Sequence, residues 1–248
     1  MAQRRIVIGA IGGDRHKDAA MVLGKAVAEH GCILLTGGKL RESGEVKDAA
    51  MYGASIAEAT GAAARLVGIL PSEKNKELWV ATSRRLFLDT GLEHNVRNVI
   101  NGLTPDALVV FGGGRGTLAE TAFAVAANKP MFFCDLPASR DRLIKNFSKY
   151  FVDGENSSTD VDLYLRSPLQ AYHDAWKRSL SVDDLKSGLD NFLKTAPTAI
   201  APDELVKACI AAAKDAARGP TGFPGLPDHP ETKPLFEAVI KRISSPLD

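Results

Sequence analysis

Short apolar runs alternate with amphipathic stretches along the first 135 residues of the chain. Several runs are rich in β-branched residues and end at glycine or proline, which is typical of buried strands. Between the runs, apolar positions recur with the period of a helix, for example from about Glu45 to Thr60. Strands that alternate with helices form right-handed crossovers, so the pattern predicts an α/β fold with a doubly wound parallel sheet. The predicted strands are residues 5–13, 32–36, 65–70, 107–111 and 131–134.

The remaining segments are less regular. Residues 85–88 could form a further strand, and residues 94–101 begin or form a helix. After Asp135 the strand-type runs disappear, which predicts a boundary after residue 137 and a mostly helical C-terminal extension over 138–248. Helical patterns cover residues 138–150, 168–179, 182–194 and 202–217, and a last one at 233–243 follows the segment 219–230, which is rich in proline and glycine.

Composition limits the kinds of partner that the chain can bind. It has 248 residues, 45% hydrophobic and 25% charged, and a formal net charge of +1, so no overall field attracts nucleic acid or a membrane surface. The apolar stretch near the N-terminus is too short for a signal peptide or a membrane span, which favours a cytoplasmic protein. The cysteines and early histidines lack metal-site spacing, so we predict no metal. Any anion site must therefore be local.

A glycine-rich loop follows the predicted strand 107–111 and opens a predicted helix from Thr117 to about Ala127. Glycine occupies four of the six loop positions, Gly112-Gly113-Gly114-Arg115-Gly116-Thr117. Glycine lets the backbone approach a ligand closely, and the N–H groups at a helix start attract phosphate. A tight turn without a ligand is the alternative, but three consecutive glycines are a costly choice for a turn alone. The loop therefore predicts a phosphate site.

Residues beside and within the loop are candidates for ligand chemistry. Glu120 could orient a water or stabilise positive charge on a sugar carbon, but Thr117 and Glu120 also fit a capping box, and both roles stay open. Arg97, with Asn98 beside it, could reach an anion at the sheet edge; an exposed helix arginine is the alternative. Arg115 could contact phosphate or face solvent.

A second pattern in the same segment fits a dinucleotide fingerprint. Gly114, Gly116 and Ala119 have the spacing of its small residues, and Asp135 follows about twenty residues later, where a ribose-binding acid would lie. However, the loop follows a late strand instead of the first one, and an alanine after two glycines is a weak pattern. An NAD-dependent enzyme is therefore the lowest-ranked of the alternatives.

Six short segments within residues 4–135 carry the motifs of one family, namely Ile8–Gly13, Leu35–Gly38, Gly44–Ala54, Val67–Pro71, Arg97–Asn98 and Gly112–Glu120. Together they resemble the lysine-decarboxylase-like or LOG family of the SMF/DprA-LOG superfamily, nearest the cluster that includes the molybdenum cofactor carrier proteins. The resemblance implies a Rossmann-like nucleotide-binding domain over residues 1–137, usually dimeric. For the enzymatic members it implies hydrolysis of the N-glycosidic bond of nucleoside 5′-monophosphates, not decarboxylation.

The resemblance also implies roles for individual residues. Arg97 would be the catalytic arginine, and Glu120 would assist the oxocarbenium-like transition state and its water. The 5′-phosphate would lie in the glycine loop, and glycines of the other segments would line the ligand site. The implied ligand-binding residues are Gly12, Gly13, Gly37, Gly38, Asn98, Gly112, Gly113, Gly114, Arg115, Gly116 and Thr117. Gly112 stands where the enzymes carry proline and Asn98 where they carry lysine, which favours the carrier cluster.

Three functions therefore remain. The first is hydrolysis of a nucleoside 5′-monophosphate to free base and ribose 5-phosphate by Arg97 and Glu120, without a cofactor. The second is a non-catalytic carrier or sensor that binds a nucleotide derivative or the molybdenum cofactor. The third is the NAD-dependent enzyme, in which Asp135 would contact ribose. For each of them we expect a small-molecule ligand and a homodimer or higher homo-oligomer.

Overall fold

A parallel sheet of six strands forms the centre of the protein. A computed structural model describes residues 5–38, 45–71, 84–134, 139–172, 180–196 and 202–218. The strands are β1 (Val7–Ile11), β2 (Ile33–Thr36), β3 (Arg65–Leu70), β4 (Arg85–Asp89), β5 (Ala107–Val110) and β6 (Met131–Phe133). They pair in the order β4-β3-β2-β1-β5-β6, and every pairing is parallel. The predicted Rossmann-like, doubly wound α/β fold is confirmed, and the open question about residues 85–88 is answered by β4.

Helices cover both faces of this sheet. The first part of the chain contributes α1 (Lys17–Glu29), α2 (Val46–Ala59), α3 (Asn98–Leu103) and α4 (Arg115–Ala126). The C-terminal part contributes α5 (Ser139–Phe147), α6 (Ser157–Val161), α7 (Ser167–Ala171), α8 (Val182–Thr195) and α9 (Pro202–Arg218). Two π-helical turns, Ser148–Val152 and Asp162–Arg166, join α5, α6 and α7 into a nearly continuous helical stretch. The predicted helical C-terminal extension is therefore confirmed for the described residues.

Strand β5 illustrates why the sheet lies at the centre of the core. Its residues are buried on both sides, and they alternate between two hydrophobic clusters. Leu108 and Val110 pack with α4 on one face, whereas Ala107 and Val109 pack with α1 and α2 on the other. This two-residue alternation is the geometry of a strand, and a continuous apolar run is its signature when both faces are covered.

The C-terminal helices complete both layers. Helix α8 packs against α4, while α9 packs against α1 and brings Leu205, Val206 and Cys209 into the core beside β5 and β6. The predicted boundary after residue 137, Asp135, the segment 219–230 and the pattern at 233–243 lie outside the described residues. Within the described ranges, no helix combines the length and the hydropathy required to cross a bilayer.

Candidate functional site

Glycine-containing loops leave three strands at the same edge of the sheet. Because all strands are parallel, the carboxyl ends of β1, β2 and β5 meet there, and the predicted glycines at residues 12, 13, 37, 38 and 112–114 come together. The winding direction reverses between β1 and β5, and such a switch point opens the crevice in which α/β sheets bind ligands. The two loops touch, since the Gly13 N–H donates to the Gly112 carbonyl over 3.1 Å.

The loop after β5 needs glycine at its first two positions. Gly112 has a φ of 84°, a left-handed conformation that residues with a Cβ rarely adopt. A Cβ on Gly113 would lie 2.2 Å from the Thr117 Oγ1, whereas a Cβ on Gly114 would meet nothing within 4 Å. Helix α4 begins at Arg115, and no described side chain caps it. The loop therefore presents backbone N–H groups at an open helix start.

Asn98 adds a side-chain donor beside this helix start. The residue is 2% exposed, and its Nδ2 has no hydrogen-bond partner among the described residues. This nitrogen lies 3.6 Å from the position that a Cβ on Gly116 would take. A buried donor without a partner costs about 1–3 kcal/mol. The group is therefore well suited to donate to a ligand oxygen at the start of α4.

Glu120 is buried on α4, and the Nδ2 of Asn101 donates to its Oε1 over 2.7 Å. Burial raises the pKa of the Glu120 carboxyl, while the hydrogen bond from Asn101 and the charge of Arg97 act in the opposite direction. Such a carboxyl can accept a proton more readily than an exposed glutamate. The capping-box alternative is wrong, because α4 begins at Arg115 and Thr117 already lies inside the helix.

Arg97 is buried at the same edge, so the alternative of an exposed helix arginine is wrong. Its Nη1 donates to the backbone carbonyls of Gly37, just after β2, and of Ile69 in β3, the latter over 2.6 Å. Its Nη2 lies 3.4 Å from the Nδ1 of His94. The guanidinium thus ties together two strand ends, and it lies close enough to Glu120 to lower the pKa of that carboxyl.

Arg115 turns from the loop toward the C-terminal helices. Its Nη1 donates to the Oδ1 of Asp160 over 2.8 Å, and the Asp160 side chain is 5% exposed. The guanidinium also lies over the rings of Tyr150 and Tyr164, at 5.4 Å and 5.5 Å from their centroids. These contacts anchor Arg115 in the protein, and its contact with phosphate stays a prediction.

The sequence analysis did not identify three residues of the site. Asn101 binds Glu120, Asp160 binds Arg115, and the Nδ2 of Asn146 on α5 donates to the Gly113 carbonyl over 2.6 Å. Only Asn101 had a local signal, since it follows Asn98 at helical spacing and so shares its face. Asp160 and Asn146 belong to the C-terminal helices, whose contacts with the loop no local pattern encodes.

Two further predictions concern chemistry that the described residues do not test. Asp135, which would contact ribose in an NAD-dependent enzyme, lies outside the described residues. In the described ranges, no group of three or more His, Cys, Asp or Glu side chains could hold a metal ion. Backbone amides and the Nδ2 of Asn98 are hydrogen-bond donors at the strand ends, and donors suit an oxyanion of an organic ligand.

A family model decides which proteins this chain belongs with. The model of the SLOG cluster4 family matches residues 5–162, which include all three glycine loops, Arg97, Glu120 and Asp160. The chain belongs to the SLOG cluster4 family. The family resemblance inferred from the six motifs is thereby confirmed, and the chain has a LOG-like fold of the type that binds nucleotides or cofactors. No curated protein matches the chain.

Solved structures similar to this SLOG chain include two proteins whose names state that they bind or carry the molybdenum cofactor. The molybdenum cofactor binding protein from the phototrophic bacterium Rippkaea orientalis is 33% identical, over 67% of this chain and 98% of that one, with a TM-score of 0.47. The Moco carrier protein from Chlamydomonas reinhardtii is 32% identical, over 57% of this chain and 84% of that one, with a TM-score of 0.45.

Proposed function

We propose that the chain binds the 5′-phosphate of a nucleoside 5′-monophosphate at the glycine loop and hydrolyses its N-glycosidic bond, releasing free base and ribose 5-phosphate. The observation that carries the proposal is the open start of α4, where backbone N–H groups lie beside the unpartnered Nδ2 of Asn98. Amides at a helix start bind phosphate through hydrogen bonds and the positive end of the helix dipole. Glu120 lies in the second turn of the same helix.

Glu120 would assist the bond cleavage itself. In the reaction, the oxygen of a water molecule bonds to C1′ of the ribose as the C1′–N bond breaks. The Glu120 carboxylate accepts a proton from the attacking water and releases it to solvent, while the departing base takes the electron pair of that bond and then a proton from solvent. Its negative charge also stabilises the positive charge that develops on the sugar. Asn101 would hold the carboxylate through the Nδ2–Oε1 hydrogen bond.

Incubation of the purified protein with AMP and other nucleoside 5′-monophosphates tests this proposal. Chromatography should detect free base and ribose 5-phosphate in equal amounts. Glu120→Gln should lower the rate by about 100-fold or more, because it removes the proton acceptor. Glu29→Gln, on the exposed side of α1, makes the same chemical change away from the site and should keep the rate. Failure of every nucleotide to release base contradicts the hydrolase.

A carrier or sensor that binds a nucleotide derivative or the molybdenum cofactor without turnover is the second candidate. Arg97 favours it, because the Nη1 of its guanidinium is bound to two backbone carbonyls, which suits a structural role more than a catalytic one. Asn98 favours it as well, since it supplies a neutral donor at the ligand site. Saturable binding of AMP without release of base would support this candidate over the hydrolase.

Both candidates require an anion at the start of α4, and substitutions at Gly114 test that requirement. Calorimetry should find that Gly114→Asp lowers the affinity for AMP at least about 10-fold, because its carboxylate competes with the phosphate for the same N–H groups. In Gly114→Asn the new side chain has a similar shape without the charge, so this variant should lose less affinity for AMP. Both variants should remain stable, since Asp and Asn are good helix caps and the position has space. Equal affinities in the two variants contradict the phosphate site.

The homodimer expected from the family resemblance is a further part of the proposal. Two large apolar side chains, Val22 on α1 and Tyr52 on α2, are 48% and 56% exposed on helices that pack against each other. Exposed apolar side chains of this kind often contribute to an interface between subunits. Sedimentation velocity should therefore give twice the mass of the chain at micromolar concentration. A single species with the mass of one chain contradicts the dimer.

A further inference from the structure

A narrow cleft lies at the switch point of the sheet, between the loops that follow β1 and β5. The cleft is lined by Gly13 from the first loop and by Gly112 and Gly113 from the second. Its lining also includes Arg15 and His16, just before α1, and one residue of α5. The cleft therefore shares the glycine loop with the start of α4, where the phosphate is proposed to bind.

Basic side chains from distant parts of the chain converge in this cleft. Arg142 of α5 completes the lining, so that Arg15, His16 and Arg142 surround the same space. Burial and, after it, the positive charges of Arg15 and Arg142 lower the pKa of His16. Of the described residues that line the cleft, the only carboxylate is Asp14, which is 73% exposed and lies 3.8 Å from Arg142.

Helix α5 is fixed in position relative to the glycine loop. Asn146 follows Arg142 by one helical turn, and its Nδ2 donates to the Gly113 carbonyl over 2.6 Å. This hydrogen bond holds the helix, and with it Arg142, beside the loop. The guanidinium is 35% exposed, so it is partly desolvated yet accessible to a ligand. Like charges that are held close together repel, and an anion between them converts that repulsion into attraction.

We infer that Arg15 and Arg142, at the opening of this cleft, bind a second anionic group of the ligand, adjacent to the phosphate at the start of α4. The inference rests on the phosphate site of the proposed function and adds to its monophosphates a class of ligand with two linked anionic groups, as in a nucleoside 5′-diphosphate. Backbone amides of the glycine loop bind the first group, and Arg15 and Arg142 bind the second. Guanidinium groups suit this role because they form paired, charge-assisted hydrogen bonds to phosphate oxygens.

Calorimetry with AMP and ADP, and with inorganic phosphate and pyrophosphate, in metal-free buffer at constant ionic strength tests the inference. The diphosphates should bind about 10-fold more tightly than the monophosphates, which corresponds to one further charged contact. Arg142→Gln should remove this difference and change AMP affinity by less than about 2-fold. Arg15→Gln, at an exposed loop position, provides the same test if Arg142→Gln does not fold.

A matched control separates the cleft from net charge. Arg166→Gln makes the same charge change at an exposed residue that pairs with Asp162 outside the cleft lining, and it should keep the full difference between ADP and AMP. Equal affinities of the unmodified protein for AMP and ADP overturn the inference and leave the proposed function intact. Equal losses of AMP and ADP binding in Arg142→Gln also overturn it, since Arg142 would then bind the first phosphate. Absence of any AMP binding overturns the proposed function together with the inference.

Discussion

Two glycine loops at the same edge of the sheet differ in how closely other groups pack against them. After β2, a Cβ on Gly37 would lie 2.8 Å from the Nη1 of Arg97 and 3.2 Å from the Nδ2 of Asn101. After β5, a Cβ on Gly114 would meet nothing within 4 Å. Both loops follow a buried apolar run and look alike in sequence. The first makes room for the protein's own arginine, whereas the second leaves a helix start accessible.

The comparison separates two uses of glycine at a strand end. In each case the missing Cβ allows a close approach, but the sequence does not say which group approaches. The family resemblance implies that Arg97 and Gly114 both act at the ligand. The contacts of Arg97 instead join the carbonyls of Gly37 and Ile69, so stability and binding should depend on different residues of one site.

Removal of Arg97 should have the largest effect on stability. Arg97→Met should lower the free energy of unfolding by about 3 kcal/mol, because two buried carbonyls lose their donor at once. Urea unfolding followed by circular dichroism measures the change. Arg115→Met, at a side chain that is 46% exposed, is the control and should lose clearly less. A stable Arg97→Met protein that no longer binds AMP would show that the two loops differ less than their contacts indicate.

Neighbouring positions of the β5 loop should respond differently to the same substitution. Gly113→Ala should lower the free energy of unfolding by about 2 kcal/mol, because its Cβ would overlap the Oγ1 of Thr117. Gly114→Ala should cost less than about 1 kcal/mol, since the space is open and only a modest capping preference is lost. Thermal unfolding of both variants measures the contrast. Similar losses at the two positions would mean that the start of α4 is packed as closely as the β2 end.

Much of the fold could be predicted because four of its described strands, β1, β2, β3 and β5, are buried on both faces. Runs such as Ala107–Phe111 are continuous in apolar residues and end at glycine, so strand, loop and helix are all marked locally. The stretch 151–167 was not predicted as helical, although the structure continues there through α6 and two π-helical turns. A π-turn inserts an extra residue, which shifts the apolar positions out of the helical period.

The candidate site could be predicted only in part. The glycine loop and Glu120 were found because their motif is contiguous. The partners that define their chemistry were not, since the contact of Arg97 with Gly37 and that of Asn101 with Glu120 join separate segments. Burial of the guanidinium follows from these tertiary contacts, and no pattern within His94–Asn101 distinguishes it from an exposed helix arginine.

Loss of the ion pair between Arg115 and Asp160, which joins the β5 loop to the C-terminal helices, should have a moderate effect on stability. Asp160→Asn should cost about 1–2 kcal/mol, because a buried acceptor loses its charge-assisted bond to Arg115, whose exposure limits the gain. Arg115→Gln should cost a similar amount. If the two residues act only through each other, the double variant should be no less stable than either single one. Additive losses, or a fall in AMP affinity in Arg115→Gln alone, would instead assign Arg115 to the ligand.

Substitution of Glu120 should change the free energy of unfolding least, and it should raise this free energy where the other substitutions lower it. Folding raises the pKa of its carboxyl above the ordinary value of 4.5, so the folded state holds the proton more strongly than the unfolded state. The stability from Glu120 is therefore fully present below pH 4.5 and is lost as the pH rises through the pKa of the folded state.

Glu120→Gln does not titrate, and its Oε1 can still accept from the Nδ2 of Asn101. The variant should therefore match the unmodified protein at low pH and exceed its free energy of unfolding by about 1 kcal/mol at neutral pH. Urea unfolding at a series of pH values measures the difference, and Glu29→Gln, on the surface of α1, is the control. If the difference in free energy of unfolding between the two proteins does not change with pH, folding does not raise the pKa of the Glu120 carboxyl, and the prediction is wrong.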